Sequence, residues 1–273
     1  MFGERVILKD GNPETVGEDS MRPGPTPERM LALCRLVENG SYTRSELYKL
    51  CALDPDAPSG DEYISRTISS ATDELELIKE DENGHYTLEI DSSCLASSAE
   101  FRKAVAPRIF ALKESRFFKL TEWFVKNSED SMKINKFDEF ASEAAKNGVE
   151  DVDENDVLGW RFWMRYLGFA YQYNKTLIPN MKVRIKDALE GVESGTRMTC
   201  RQFIAWLKEN LPETAVWCDD EYLPLALSNG LRTLEHEGFI EMISTRDAVR
   251  VSLYPLRGVE RTDFSDIVVK EIS

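Results

Sequence analysis

The sequence predicts a mainly helical α+β protein, and three observations predict it. Apolar residues recur at helical spacing behind readable caps. Short extended runs flank turn residues near both ends of the chain. The same order, three helices and then a hairpin, occurs twice.

The first 26 residues carry Pro13, Pro23 and Pro25 among four glycines, and are read as an extended arm in which Arg5–Leu8 offers an edge strand. Thr26-Pro27-Glu28 then opens a helix that presents Met30, Leu33, Leu36 and Val37 and stops at Asn39-Gly40. A capping box, Thr43 to Glu46, opens a second helix with Leu47 and Leu50 on its apolar face. Ser59-Gly60-Asp61-Glu62 opens a third, with Ile64, Ile68, Ala71 and Leu75 turned inward. Leu77–Glu80 and Tyr86–Ile90 flank Asn83-Gly84, a tight-turn pair, and form a hairpin. Three helices closed by a hairpin describe a winged helix over residues 27–95.

Residues 181–257 repeat the order. Lys182–Leu189 is helical, Thr199 to Gln202 is a second capping box, and Asp219-Asp220 precedes a helix carrying Leu223, Leu227, Leu231 and Leu234. That helix ends at Gly238. Phe239–Ile243 and Val249–Tyr254 are read as the second hairpin, around Ser244–Asp247, which leaves 258–273 as a tail. Residues 96–180 form a central helical domain. Within it, 101–127 is helical but for Pro107, and the acidic stretch 129–156 follows. Seven aromatics then fall between Trp160 and Tyr173. Phe162, Tyr166, Phe169 and Tyr173 stand at i, i+4, i+7 and i+11 and predict one buried helix face in preference to a base-stacking surface.

Charge narrows the function. The 34 Lys and Arg against 49 Asp and Glu leave −15, which excludes a generic basic coat for nucleic acid. The cations are nevertheless clustered. Residues 101–127 hold seven against Glu114 and Glu122, and residues 157–186 hold six with no acid. The candidate phosphate contacts are therefore Arg102, Lys103, Lys113, Arg116 and Lys119 in the central block, with Arg232, Arg246 and Arg250 in the second module. The competing reading pairs these cations with the acidic neighbours. The first module surrounds Arg66 with Asp61, Glu62, Asp73, Glu74 and Glu76, which suits protein contact better than DNA.

Catalysis finds no foothold. The phosphate-loop, dinucleotide, zinc-protease and serine-hydrolase strings are absent, and His85 and His236 stand alone. Asp151-x-Asp153-Glu154 reads as a solvated loop, and the five scattered cysteines as reduced thiols. No cofactor or metal is expected. No run of about 18 apolar residues appears and the first twenty residues lack a secretory pattern, so a cytoplasmic protein is expected, without membrane contact.

The string Gly159-Trp-Arg-Phe-Trp-Met-Arg-Tyr-Leu-Gly-Phe169, followed by Leu177-Ile178-Pro179-Asn180 ahead of a winged helix, resembles the DpdG-type proteins. These belong to bacterial clusters that place 7-deazaguanine in DNA and restrict unmodified DNA. The resemblance implies a non-catalytic subunit working beside ATPase, helicase or nuclease partners, and it carries no site residues. Three functions fit the sequence: an adaptor contacting a protein partner and DNA, a duplex-binding transcription regulator acting as a homodimer, and a scaffold that binds protein alone.

Overall fold

The computed structural model describes residues 5–9, 12–16, 24–51, 62–219 and 221–271. It is a mixture of helices and small, mostly antiparallel sheets, the α+β class expected, and divides into two compact units. The first comprises Met1–Leu120 and Phe137–Tyr166, the second Thr121–Lys136 and Leu167–Ser273. The central stretch 96–180 is thus shared between the units.

In the first unit, β1 (Arg5–Lys9) pairs antiparallel with β2 (Asn12–Val16), so the N-terminal segment carries a ladder where an extended arm was expected. Both strands are edges, where Pro13 removes no inner ladder bond. Helix α1 (Pro27–Glu38) starts as predicted: the Thr26 hydroxyl accepts from the Arg29 N–H, and Pro27 takes the first helical position. Strand β3 (Tyr42–Thr43) leads into α2 (Arg44–Cys51), where Thr43 and Glu46 cap each other's backbone N–H groups. Helix α3 (Glu62–Ser69) continues as a π-turn through Glu74, and Ile64, Ile68, Ala71 and Leu75 are buried. Its expected start at Ser59–Asp61 lies outside the described residues.

Strands β4 (Ile78–Glu80) and β5 (His85–Leu88) form the expected hairpin, with Gly84 at φ +79° in the turn. The sheet order is β3-β5-β4. Burial pushes the Cys34 thiol of α1 up to about 12, and none of the five cysteines is joined in a disulfide.

Helix α4 (Ser98–Ala111) runs through Pro107 without breaking. The interruption comes instead at Leu112–Ser115, where the Ser115 hydroxyl accepts from the Phe118 N–H and starts α5 (Arg116–Lys126). That serine cap stops the long helix the apolar spacing suggested. Helix α6 (Ser128–Ser131) belongs to the second unit. Helices α7 (Phe137–Lys146) and α8 (Glu154–Tyr166) return to the first. Asp151 and Asp153 lie in an exposed loop, as expected, and Asp153 and Asp156 cap each other's N–H groups where that loop enters α8. Trp160 and Trp163 are buried, and the Trp163 indole donates to the Pro25 carbonyl at 2.8 Å.

In the second unit, β6 (Ala170–Tyr173) and β7 (Thr176–Pro179) make a hairpin. This corrects the single aromatic helix face: Gly168, at φ +80°, ends the helical run, and a period of two replaces 3.6. Phe169 is buried, whereas Tyr173 is 69% exposed. Next come α9 (Lys182–Leu189), β8 (Arg197–Thr199) and α10 (Cys200–Asn210), with the predicted Thr199–Gln202 capping box in place. Strand β9 (Tyr222–Leu223) precedes α11 (Leu225–His236). Asp219 accepts from the Glu221 and Tyr222 N–H groups in a turn ahead of β9, and Pro224 stands at the helix start instead of an acidic cap.

Strand β10 (Ile240–Ile243) does not pair with Val249–Tyr254. Its partner is β13 (Asp266–Val269), and β11 (Val251–Leu253) pairs instead with β9 and with β12 (Asp263–Phe264). Both β11 and β13 present buried apolar residues, so nearness in sequence favoured the wrong partner. The stretch after 257 therefore completes the sheet, whose order is β8-β13-β10. Within this sheet the order is first, third and second in chain order, as in β3-β5-β4, while β9, β11 and β12 form a separate sheet with no counterpart among the described strands of the first unit.

Candidate nucleic-acid interface

A helix–strand–helix–helix–strand–strand module that reads duplex DNA does so by laying its third helix in the major groove. In the second unit that helix is α11, and from Leu225 to Glu235 none of its residues is exposed. The side chains that would face a groove are engaged within the unit. Asn229 donates to the Pro179 carbonyl at 2.9 Å, and Thr233 accepts from the Asn180 amide at 3.0 Å. Gly230 faces the start of α9 so closely that a Cβ would stand 2.8 Å from the Lys182 nitrogen. Glu235 accepts from the Met242 N–H and from Arg261.

Arg232 is drawn inward too. Its Nη2 donates to the carbonyls of Tyr254 and Arg261, both at 2.8 Å, and burial pushes its guanidinium below the ordinary range. A cation spent on two carbonyls is a strut for the segment after β11. It is not presented to phosphate.

The remaining candidates divide by environment. Arg102 lies 5.9 Å from the Tyr166 ring centre, and Lys103 pairs with Glu100 at 2.6 Å. Arg116 donates to the Asp151 carbonyl and stands 3.9 Å from buried Asp156, while Lys119 pairs with Glu114 at 3.2 Å. Arg250 folds its guanidinium back onto the Thr245 and Arg246 carbonyls and reaches Asp263 at 3.4 Å. Lys113 and Arg246 remain exposed, with no side-chain partner among the described residues.

The same holds for the second basic segment. Arg184 is buried against Glu213 at 2.8 Å, Lys182 pairs with Glu237, and Lys186 lies 3.9 Å from the Phe239 ring centre. The cations gathered by the sequence are thus largely matched one by one inside their own unit.

Two features stand outside the candidate residues read from the sequence. Tyr171 and Tyr173 are exposed on the β6–β7 hairpin; Gly168 followed by alternating Ala-Tyr-Gln-Tyr was the available signal. In the first unit, a cavity of about 400 Å³ opens between α1, α2 and α3. Ala32, Leu33 and Leu36 form its floor, and Leu50, 56% exposed, stands at its rim. No group of three His, Cys, Asp or Glu side chains among the described residues is placed to hold a metal ion. No helix among them is long and apolar enough to cross a membrane.

Comparison with curated proteins and with solved structures gave no match. The DpdG-like family model, in contrast, matches residues 21–248, from ahead of α1 through β10, and ends before β11, β12 and β13. The chain belongs to the DpdG-like family.

Proposed function

We infer that the chain is a non-catalytic adaptor, two winged helices joined by helical segments, acting in a cytoplasmic bacterial DNA-modification and defence assembly. Membership of the DpdG-like family fits that context. The observation that carries the reading is the enclosure of α11. Base edges specify sequence while phosphate contacts only position a protein, and α11 offers no free face to a groove. An operator-reading regulator needs such a face; an adaptor does not.

Protein contact falls to the first winged helix. Residues 27–95 carry six cations against fifteen acids, unsuited to phosphate, around the apolar cavity under Leu50 and Tyr63. Its partner is an ATPase, helicase or nuclease subunit of the same assembly. Duplex DNA is contacted through phosphate alone, with Arg246 as the exposed candidate in the second unit and Lys113 the separate candidate in the first.

The test is co-expression with the subunits encoded beside the chain, followed by size-exclusion chromatography. Co-elution that is lost with Leu50→Asp supports the adaptor. Tight binding of the isolated chain to one duplex sequence would replace it with the regulator. Absence of duplex binding at about 50 mM salt would leave a scaffold that binds protein alone.

A further inference from the structure

The β6–β7 hairpin presents a face that the helical segments do not use. Its register sets Ala170 against Pro179, Tyr171 against Ile178, Gln172 against Leu177 and Tyr173 against Thr176. Opposed residues share a face. Ala170, Leu177 and Pro179 are buried, so the other face consists of Tyr171, Tyr173, Thr176 and Ile178. Tyr171 is 42% and Tyr173 69% exposed, and neither has a partner among the described residues. The turn at the tip adds exposed Lys175 beside Asn174, which adopts φ +53°.

Two rings at i and i+2 on a strand stand about 7 Å apart, twice the rise per residue. That is wide enough for each ring to take a separate, unstacked base; in the RNA-binding sheets built this way, strand aromatics stack two or three bases. Stacking on aromatic side chains is the common device for holding single strands, because every base has a π-face. Charge is supplied locally by exposed Lys175 at the hairpin tip, since Lys182, Arg184 and Lys186 are engaged with Glu237, Glu213 and the Phe239 ring. Tyrosine also suits a wet surface, since its hydroxyl stays hydrated while its ring is covered.

We propose that Tyr171 and Tyr173 form a stacking platform for single-stranded nucleic acid, with Lys175 contacting the adjoining phosphate. The site uses neither Lys113 nor Arg246, and it stands whether or not the adaptor reading does.

The test is fluorescence anisotropy of the full chain with a labelled mixed-sequence strand of about 12 nucleotides, a length within the usual single-strand site range. The same strand annealed to its complement is the comparison. The single strand should bind more tightly than the duplex. Tyr171→Ala with Tyr173→Ala should weaken it at least tenfold, and Tyr171→Phe with Tyr173→Phe should leave it within about twofold, because stacking needs the ring and not the hydroxyl. Lys175→Ala should lower the salt slope by about one. As a second measurement, a strand carrying 5-iodouracil should cross-link to Tyr171 or Tyr173 on irradiation. No single-strand binding at low salt, equal affinity in the Ala variant, or cross-links confined to other residues would overturn the proposal. Loss of duplex binding alone, through Arg246→Ala, bears on the adaptor reading and leaves this one intact.

Discussion

Arg232 Nη2 donates to the backbone carbonyl of Tyr254 at 2.8 Å, and through the same nitrogen to that of Arg261. One side chain on α11 thereby fastens both ends of the turn between β11 and β12. Arg232→Ala should lower stability by about 1–3 kcal/mol, since two partly buried carbonyls lose a charged donor. Duplex affinity should fall far less than with Arg246→Ala. Urea denaturation and anisotropy on the two variants check this, and a reversed ranking would return Arg232 to the interface.

Gly230 lies where α11 passes the start of α9 with no room for a side chain. An added Cβ would meet the Lys182 nitrogen at 2.8 Å and the Met181 carbonyl carbon at 2.9 Å, both backbone atoms that cannot rotate away. Alanine normally favours a helix over glycine by about 1 kcal/mol, but overpacking costs about 1–3 kcal/mol and here should dominate. Gly230→Ala should therefore lower the thermal midpoint, read by circular dichroism. A raised midpoint would mean that the two helices can separate without loss.

What the sequence made legible was local. Thr26, Thr43 and Thr199 announce their helices because a cap is a short-range bond between neighbours. Gly84 and Gly238 mark their turns for the same reason. The strand partner of β10 was hidden because β11 and β13 are both buried apolar strands, and nothing within either says which will pair across a 22-residue separation. The fate of the cations was hidden more deeply. Lys113 and Arg232 look alike in sequence, yet one is exposed and the other is a strut, and only tertiary packing separates them. Tyr173 was masked by a coincidence of spacing with Phe162, Tyr166 and Phe169, which Gly168 interrupts.

Asp266, at the start of β13, accepts from Arg197 at 3.1 Å and from the Ser265 hydroxyl at 2.7 Å. The Arg197 hydrogen bond, and then that of Ser265, hold its carboxyl below the usual range. A carboxylate lowered in the fold contributes stability above its unfolded value, near 3.9, and loses it as pH falls through the folded value. Urea midpoints between about pH 7 and pH 3 should therefore decline less steeply in Asp266→Asn than in the parent. Parallel curves would show that the pair contributes nothing to the acid limb.

The pair Arg184–Glu213 poses the opposite case, because both members are buried and joined at 2.8 Å. Taking two charges from water is costly, and their attraction offsets that cost only while both are present. Glu213→Ala leaves a buried guanidinium without its carboxylate and should destabilise the second unit by about 3–5 kcal/mol. Replacing both members, Arg184→Met with Glu213→Leu, removes the charges together and should cost much less than either single change. Denaturation of Arg184→Met, Glu213→Leu and the double variant against the parent completes a double-mutant cycle, and a coupling near zero would mean that water reaches the pair and screens it.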